Sequence, residues 1–180
     1  MQLVLVRHPQ PEIAPGVCYG SSDIAASEAA IARVAATLRM AGLPGSLPIY
    51  ASPLARCAVL ARQLGGPVAF DPRMAEMDFG AWEMQPWDAI ARSEIDAWAA
   101  DLLHYRPGGG ENVLAVALRV QQFYDELRYA MPQGALLVCH AGTMRLLAAL
   151  HAGGSLEQAA LRAAAQPHRI GYGEVMMLKA

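Results

Sequence analysis

Charge is scarce in this chain. Only 17% of its 180 residues are Asp, Glu, Lys or Arg, and the formal net charge is −2. No block of lysines or arginines occurs, which removes the electrostatic basis for a nucleic-acid surface or for attraction to an acidic membrane. Cysteine is equally sparse: Cys18, Cys57 and Cys139 are odd in number, far apart and without C-x-x-C spacing. They suit a reducing cytosol and are expected to pack as small apolar residues. Long apolar runs are missing too. The N-terminal run Leu3-Val4-Leu5-Val6 is too short for a signal peptide or a membrane span, so a cytoplasmic protein is expected. No internal repeat, no low-complexity tract beyond alanine-rich segments and no linker divides the chain. With 54% hydrophobic residues over 180 positions, the expectation is one domain that buries roughly 70% of its unfolded surface.

The distinctive pattern is a strand that ends in basic residues. Leu3-Val4-Leu5-Val6 delivers Arg7-His8 into a loop opened by Pro9. A histidine at a strand's carboxyl end sits where open α/β sheets place their ligands. The adjoining arginine supplies a permanent charge and a planar fork suited to phosphate. The pattern returns twice. A short strand over residues 47–51 leads into Ser52-Pro53-Leu54-Ala55-Arg56, with Ser52 as the expected N-cap and Pro53 as the first helical residue. Residues 135–139 form a buried strand ending at His140, followed by Ala141-Gly142 and a helix. If the strands are parallel, His8, Arg56 and His140 share one sheet edge, where helix N-termini also favour anions. A bound phosphoryl group is the simplest reason for three basic groups there.

Further elements can be placed coarsely. Strands are expected at residues 2–6, 68–70 and 171–178, with helices at 27–40, up to about 64 after Arg56, and 112–131. In the last helix Val113, Val116, Ala117, Val120, Phe123, Tyr124 and Leu127 repeat at helical spacing. Residues 71–110 carry Trp82, Trp87, Trp98 and Tyr105 and are the least regular part.

In order along the chain stand Arg7-His8, Ser52-Pro53-Leu54-Ala55-Arg56, Glu76-Met77-Asp78-Phe79-Gly80-Ala81-Trp82-Glu83 and His140-Ala141-Gly142. Together these resemble the signature of the histidine phosphatases, the phosphoglycerate mutase-like superfamily. The resemblance spans nearly the whole chain. It implies an α/β three-layer sandwich with a mostly parallel central sheet flanked by helices, and a single domain over residues 1–180 in which residues 71–110 cap the active site.

The resemblance also implies a chemistry. His8 would attack phosphorus and carry a phosphohistidine. Arg7, Arg56, His140 and Ala141 would hold the phosphoryl group, and His140 would share in catalysis. Glu76 would protonate the leaving alcohol. No metal and no cofactor is implied, because the two arginines occupy the place of a metal ion. Bland alternatives stand beside these roles. His140 could be a core histidine next to Cys139, Glu76 could be a solvated loop acid, and Asp78 and Glu83 are rivals for its role. His104, His151 and His168 lie outside the motifs and are expected to be surface or structural. A metal site from His8, Cys139 and His140 follows no metal-ligand spacing.

Three positions depart from the family pattern. Pro9 stands where glycine is usual and removes a backbone N–H, so the loop there is expected to run differently. Ala14 replaces a common asparagine, and Met84 a common glycine. The chain is short where phosphoglycerate mutases carry an insertion, which favours a phosphatase. Residues 16–20, 76–82 and 108–111 resemble the branch of α-ribazole phosphatases, with Trp82, Trp87 and Tyr105 offering faces for an aromatic base. A small phosphorylated metabolite is therefore the expected partner. A phosphoprotein (phosphohistidine) phosphatase and a catalytically weak phospho-ligand-binding protein are the alternatives.

Overall fold

The first strand sets the layering, because its side chains are buried on both faces from Leu3 onward. In the computed structural model, which describes residues 1–42, 47–165 and 169–179, five strands form one sheet. They are β1 (Gln2–Arg7), β2 (Ile49–Ala51), β3 (Val68–Phe70), β4 (Gly134–Cys139) and β5 (Val175–Leu178), in the spatial order β3-β2-β4-β1-β5. All pairings are parallel except that of β1 with β5.

Successive side chains on a strand point to opposite faces, and this alternation assigns two cores. Leu3, Leu5, Ala135, Leu137 and Cys139 pack with one set of helices: α4 (Val113–Ala130), α5 (Ala141–His151) and α6 (Leu156–Ala164). Val4, Val6, Leu136 and Val138 face the other set, α1 (Glu28–Met40) and α2 (Ala55–Gln63). The expected three-layer α/β sandwich is thus formed. Helix starts follow from local chemistry. Ser27 accepts the Ala30 N–H at the head of α1, and Asn112 accepts the Ala115 N–H at 2.8 Å at the head of α4. The apolar face read for α4 is the buried one.

Several boundaries differ from the sequence expectation. The strand expected at 47–51 starts at Ile49, and that expected at 171–178 starts at Val175. Helix α2 begins at Ala55, so Ser52 and Pro53 lie outside it. Its end is capped instead from another loop, where Asp23 Oδ1 accepts the Ala55 N–H at 2.6 Å. The segment 71–110 is less irregular than expected. It contains one α-helix, α3 (Arg92–Ala100), and four single 3-10 turns from Pro72 to Gly109. Helix α3 has no fully buried residue, which leaves only a faint apolar stripe to read. A small separate core of Cys18, Trp82 and Ile90 packs this segment, joined by Phe79, Ile95, Trp98 and Tyr105. Among the described residues, no helix is long and apolar enough to cross a membrane.

Candidate active site

Strand register brings the basic groups together. Arg7 pairs with Cys139 and Ala51 with Val138, so the residues that follow each strand, His8, His140 and Ser52, emerge side by side. The two imidazole rings lie 5.1 Å apart between centroids. Ser52 Oγ sits 2.8 Å from His140 Nε2. The hydroxyl expected to cap α2 therefore orients a histidine instead.

His8 is 2% exposed, and its Nδ1 lies 2.7 Å from the Pro9 carbonyl oxygen. A carbonyl can only accept, so Nδ1 carries the proton and Nε2 keeps its lone pair. Burial is the main reason that the His8 pKa falls to about 3, with smaller contributions from the Arg56 and Arg7 charges and an opposing one from the Pro9 carbonyl. His140 is pushed well below its ordinary value in the same way, first by burial and then by His8 and the nearby arginines. Pro9 thus removes an N–H but supplies the one atom that fixes the tautomer.

The two arginines are buried without a counter-ion. Arg7 is 8% exposed and Arg56 fully buried. Arg7 Nη1 donates to the Ile170 carbonyl at 2.5 Å. Arg56 donates to the carbonyls of Ser22 at 2.7 Å and Gly20 at 2.5 Å. The Nε–H of each finds no acceptor among the described residues. Neither is within ion-pair distance of a carboxylate among the described residues. Two tyrosines cover them: the Arg7 guanidinium lies 4.0 Å from the Tyr172 ring centroid and that of Arg56 lies 5.5 Å from Tyr19. The two phenol oxygens meet at 2.8 Å.

The three carboxylates of the acidic segment separate by their contacts. Glu76 lines the cavity that holds Arg7, His8 and Arg56, and its Oε2 accepts the Gly142 N–H from the first turn of α5 at 3.0 Å. Asp78 accepts the Gly80 N–H at 2.7 Å, as a turn residue does. Glu83 is a clamp. It accepts the N–H groups of Ser21, Ser22 and Phe79 and both serine hydroxyls. Burial alone would raise its pKa, but these donors hold the carboxyl below its usual range. Because Gly20 and Ser22 hold Arg56, Glu83 acts on the arginine through that loop. Neither Asp78 nor Glu83 lines the cavity.

Ala141 opens α5 and borders the same cavity, of about 510 Å³. Its far wall is apolar, formed by Phe79, Trp87, Trp98, Leu102, Val113 and Val116. Trp82 and Tyr105, expected to present faces to a ligand, do not line it; Trp82 is buried in the small core with Tyr105 against it at 6.3 Å. Phe79, Trp98, Tyr19 and Tyr172 line it and are not among the aromatic faces expected for a ligand from the sequence. Their aromatic character was visible, but which face they present is set by packing. His104 is exposed and pairs with Asp101 at 3.1 Å, while His151 contacts the Tyr124 hydroxyl at 2.9 Å. His168 lies outside the described residues. All three cysteines are unpaired and buried, and Cys57 Sγ packs 3.5 Å from His140 Nε2. Among the described residues no group of three His, Cys, Asp or Glu side chains is gathered to hold a metal.

Known proteins resemble the chain in sequence and in fold. Over 99 residues the chain is 35% identical to the adenosylcobalamin/alpha-ribazole phosphatase of Escherichia coli strain K12, covering 53% of this chain and 48% of that protein. The chain thus spans about half the length of that curated relative. The structure of a mycobacterial glucosyl-3-phosphoglycerate phosphatase superposes with a TM-score of 0.82 at 26% identity, over 98% of this chain and 88% of the other. The alpha-ribazole phosphatase from Shigella flexneri superposes with a TM-score of 0.78 at 25% identity, over 99% and 90%. The family described as the histidine phosphatase superfamily (branch 1) matches residues 3–169, nearly the whole layered sheet and its loops. With that span matched, the chain belongs to the histidine phosphatase superfamily.

Proposed function

We propose that the protein is a metal-independent phosphomonoester hydrolase working through a phosphohistidine at His8, with residues 1–180 acting as one domain and residues 71–110 as its cap. One observation carries this: two buried guanidiniums without a carboxylate partner among the described residues flank a neutral histidine with a free Nε2 lone pair. A buried unpaired charge is expensive, and a phosphoryl dianion supplies the missing counter-charge. Arg7 and Arg56 stabilise the spread charge of the transferring group by position, the main protein contribution in phosphoryl transfer. Ala141 at the α5 terminus borders the same cavity, and His140, which does not itself line it, stands with its ring 5.1 Å from that of His8.

The His8 Nε2 lone pair forms a bond to phosphorus while the ester P–O bond breaks. Glu76, protonated, gives its proton to the leaving alkoxide. In the second half water attacks the phosphohistidine, Glu76 takes its proton, and the P–N bond returns its electrons to His8. General acid–base help of this kind is worth roughly 100- to 10,000-fold.

A cavity of about 510 Å³ lined largely by apolar side chains is of a size that suits a small phosphorylated metabolite. Its aromatic and aliphatic far wall suits a flat, weakly polar alcohol better than a polyol. Of the phosphate esters named by the relatives, α-ribazole 5′-phosphate, whose base is aromatic, fits this wall better than glucosyl-3-phosphoglycerate. The buried free cysteines are in keeping with a cytoplasmic setting.

Purified protein, with chelator present, is mixed with each of these two esters carrying radiolabelled phosphate and quenched rapidly. Acid-labile, base-stable label is expected on the wild type, faster with α-ribazole 5′-phosphate, and none on His8→Ala. Label persisting on His8→Ala removes His8 as nucleophile, and faster labelling by the sugar ester reverses the substrate assignment.

A further inference from the structure

The backbone that carries Glu76 is held by a charged pair remote from the phosphate cradle. Arg119, on α4, lies against Glu111 of the preceding loop in a two-pronged contact, Nε to Oε1 at 2.8 Å and Nη2 to Oε2 at 2.9 Å. The remaining donors of the same guanidinium reach the Glu76 segment. Nη1 donates to the carbonyls of Arg73 at 2.7 Å and Ala75 at 2.8 Å, and Nη2 to that of Glu76 at 3.2 Å. Glu111 grips the chain on the other side, where its Oε2 accepts the Asp78 N–H at 3.0 Å. Its own N–H donates to the Asp78 carbonyl at 2.8 Å.

The residues before and after Glu76 are therefore tied to α4 through this ion pair, which acts beside the Arg73–Glu126 pair to the same helix and the Thr143 hydroxyl on the Met74 and Ala75 carbonyls. Neither partner lines the cavity. The pair is only partly exposed, with Arg119 side-chain exposure at 19% and Glu111 at 27%. Glu111 would titrate higher through burial, but Arg119 and the Asp78 N–H hold it ionised below its usual range. A planar guanidinium suits this work, because its five donors point in fixed directions while a lysine ammonium offers only three on a flexible stem. Segment 73–78 contains no α-helix or strand to fix it internally.

We infer that Arg119 and Glu111 are positioning residues for proton transfer: by clamping segment 73–78 from α4 they set the distance from the Glu76 carboxyl to the leaving oxygen. The inference rests on the acid role proposed above for Glu76. A displacement of about 1 Å at a reacting group costs on the order of 100-fold, and loss of the fork is expected to allow such a displacement.

Arg119→Lys and Glu111→Gln are to be compared with wild type and Glu76→Gln in single-turnover phosphoryl transfer. The substrates are an alkyl phosphate and p-nitrophenyl phosphate, whose leaving group departs without a proton. With an alkyl phosphate the rate constant at saturating substrate is expected to fall about 10- to 100-fold in both clamp variants. The half-saturating concentration and the p-nitrophenyl phosphate rate should stay within about threefold, since the phosphate cradle is untouched. Added to Glu76→Gln, Arg119→Lys should slow alkyl ester cleavage no further, because the group it positions is gone. Equal slowing of both substrates, or full additivity with Glu76→Gln, overturns the inference. If Glu76→Gln itself shows no leaving-group dependence, the acid role fails, and the positioning role with it. If only Glu76→Gln shows that dependence, the positioning role alone fails. Glu111→Gln keeps size and shape, so it decides the matter should Arg119→Lys not fold.

Discussion

His8 donates from Nδ1 to the carbonyl of the residue that follows it, so the proposed nucleophile and the control of its tautomer are adjacent in sequence. The surrounding charges act in the same direction as burial but contribute less. Neutrality of the nucleophile is thus chiefly a matter of depth in the sheet edge rather than of repulsion by Arg7 and Arg56. The sign is that of a base whose cationic form is disfavoured, so protonation is displaced to lower pH. In the ligand-free protein, long-range nitrogen–proton NMR spectra of the His8 ring should keep the neutral Nδ1–H pattern from about pH 8 down to about 4.5, below the usual histidine value near 6.5. A titration midpoint near that usual value would mean that the ring is not desolvated.

At the scale of elements, Arg7, His8, Arg56, His140 and Ala141 stand at the end of a strand or in the first turn of a helix, while Glu76 is carried by an irregular segment, and the contacts between these parts set the geometry. The first turn of α5 shows how little space is left. Gly142 donates its N–H to Glu76, and a Cβ added at Gly142 would run into the Glu76 carboxyl group. Alanine is a better helix residue than glycine by about 1 kcal/mol in a helix interior, so Gly142→Ala should not lower the thermal midpoint. It should nevertheless push the carboxyl aside and slow alkyl phosphate cleavage by about 10-fold or more, within the span of general acid catalysis. Paired thermal melts and single-turnover rates check this. An unchanged rate would show that the carboxyl can move away without leaving its working position.

For the whole molecule, an oxyanion bound between the two buried guanidiniums is expected to stabilise the fold. An oxyanion held at the proposed site would bind the folded chain alone, because only there are Arg7, Arg56, His8 and His140 brought together. At about 100 times its dissociation constant such a ligand adds about 2.7 kcal/mol, which for a chain of this size corresponds to roughly 5–10 °C in the thermal midpoint. Vanadate or phosphate should produce this shift in the wild type and almost none in Arg56→Met, measured at equal ligand concentration. A full shift in Arg56→Met would place the anion elsewhere.

Periodicity determined the helix carrying Val113 to Leu127 and its buried face, and short motifs carried the resemblance that implied the layered α/β class and Arg7, His8, Arg56, Glu76, His140 and Ala141 as the proposed site residues. These are local properties: a period of two or three to four residues, or a residue type at the end of an apolar run, survives in one dimension. Tertiary structure decided what depends on contacts between distant segments. Ser52 turned from helix cap to partner of His140 because parallel register puts it beside that ring. Trp82 went into a small core while Phe79 and Trp98 took the cavity wall, since the facing of a side chain in an irregular segment has no period to reveal it. The Arg119–Glu111 clamp joins a helix to carbonyls more than 40 residues away. Nothing in the spacing of either residue marks such a bond.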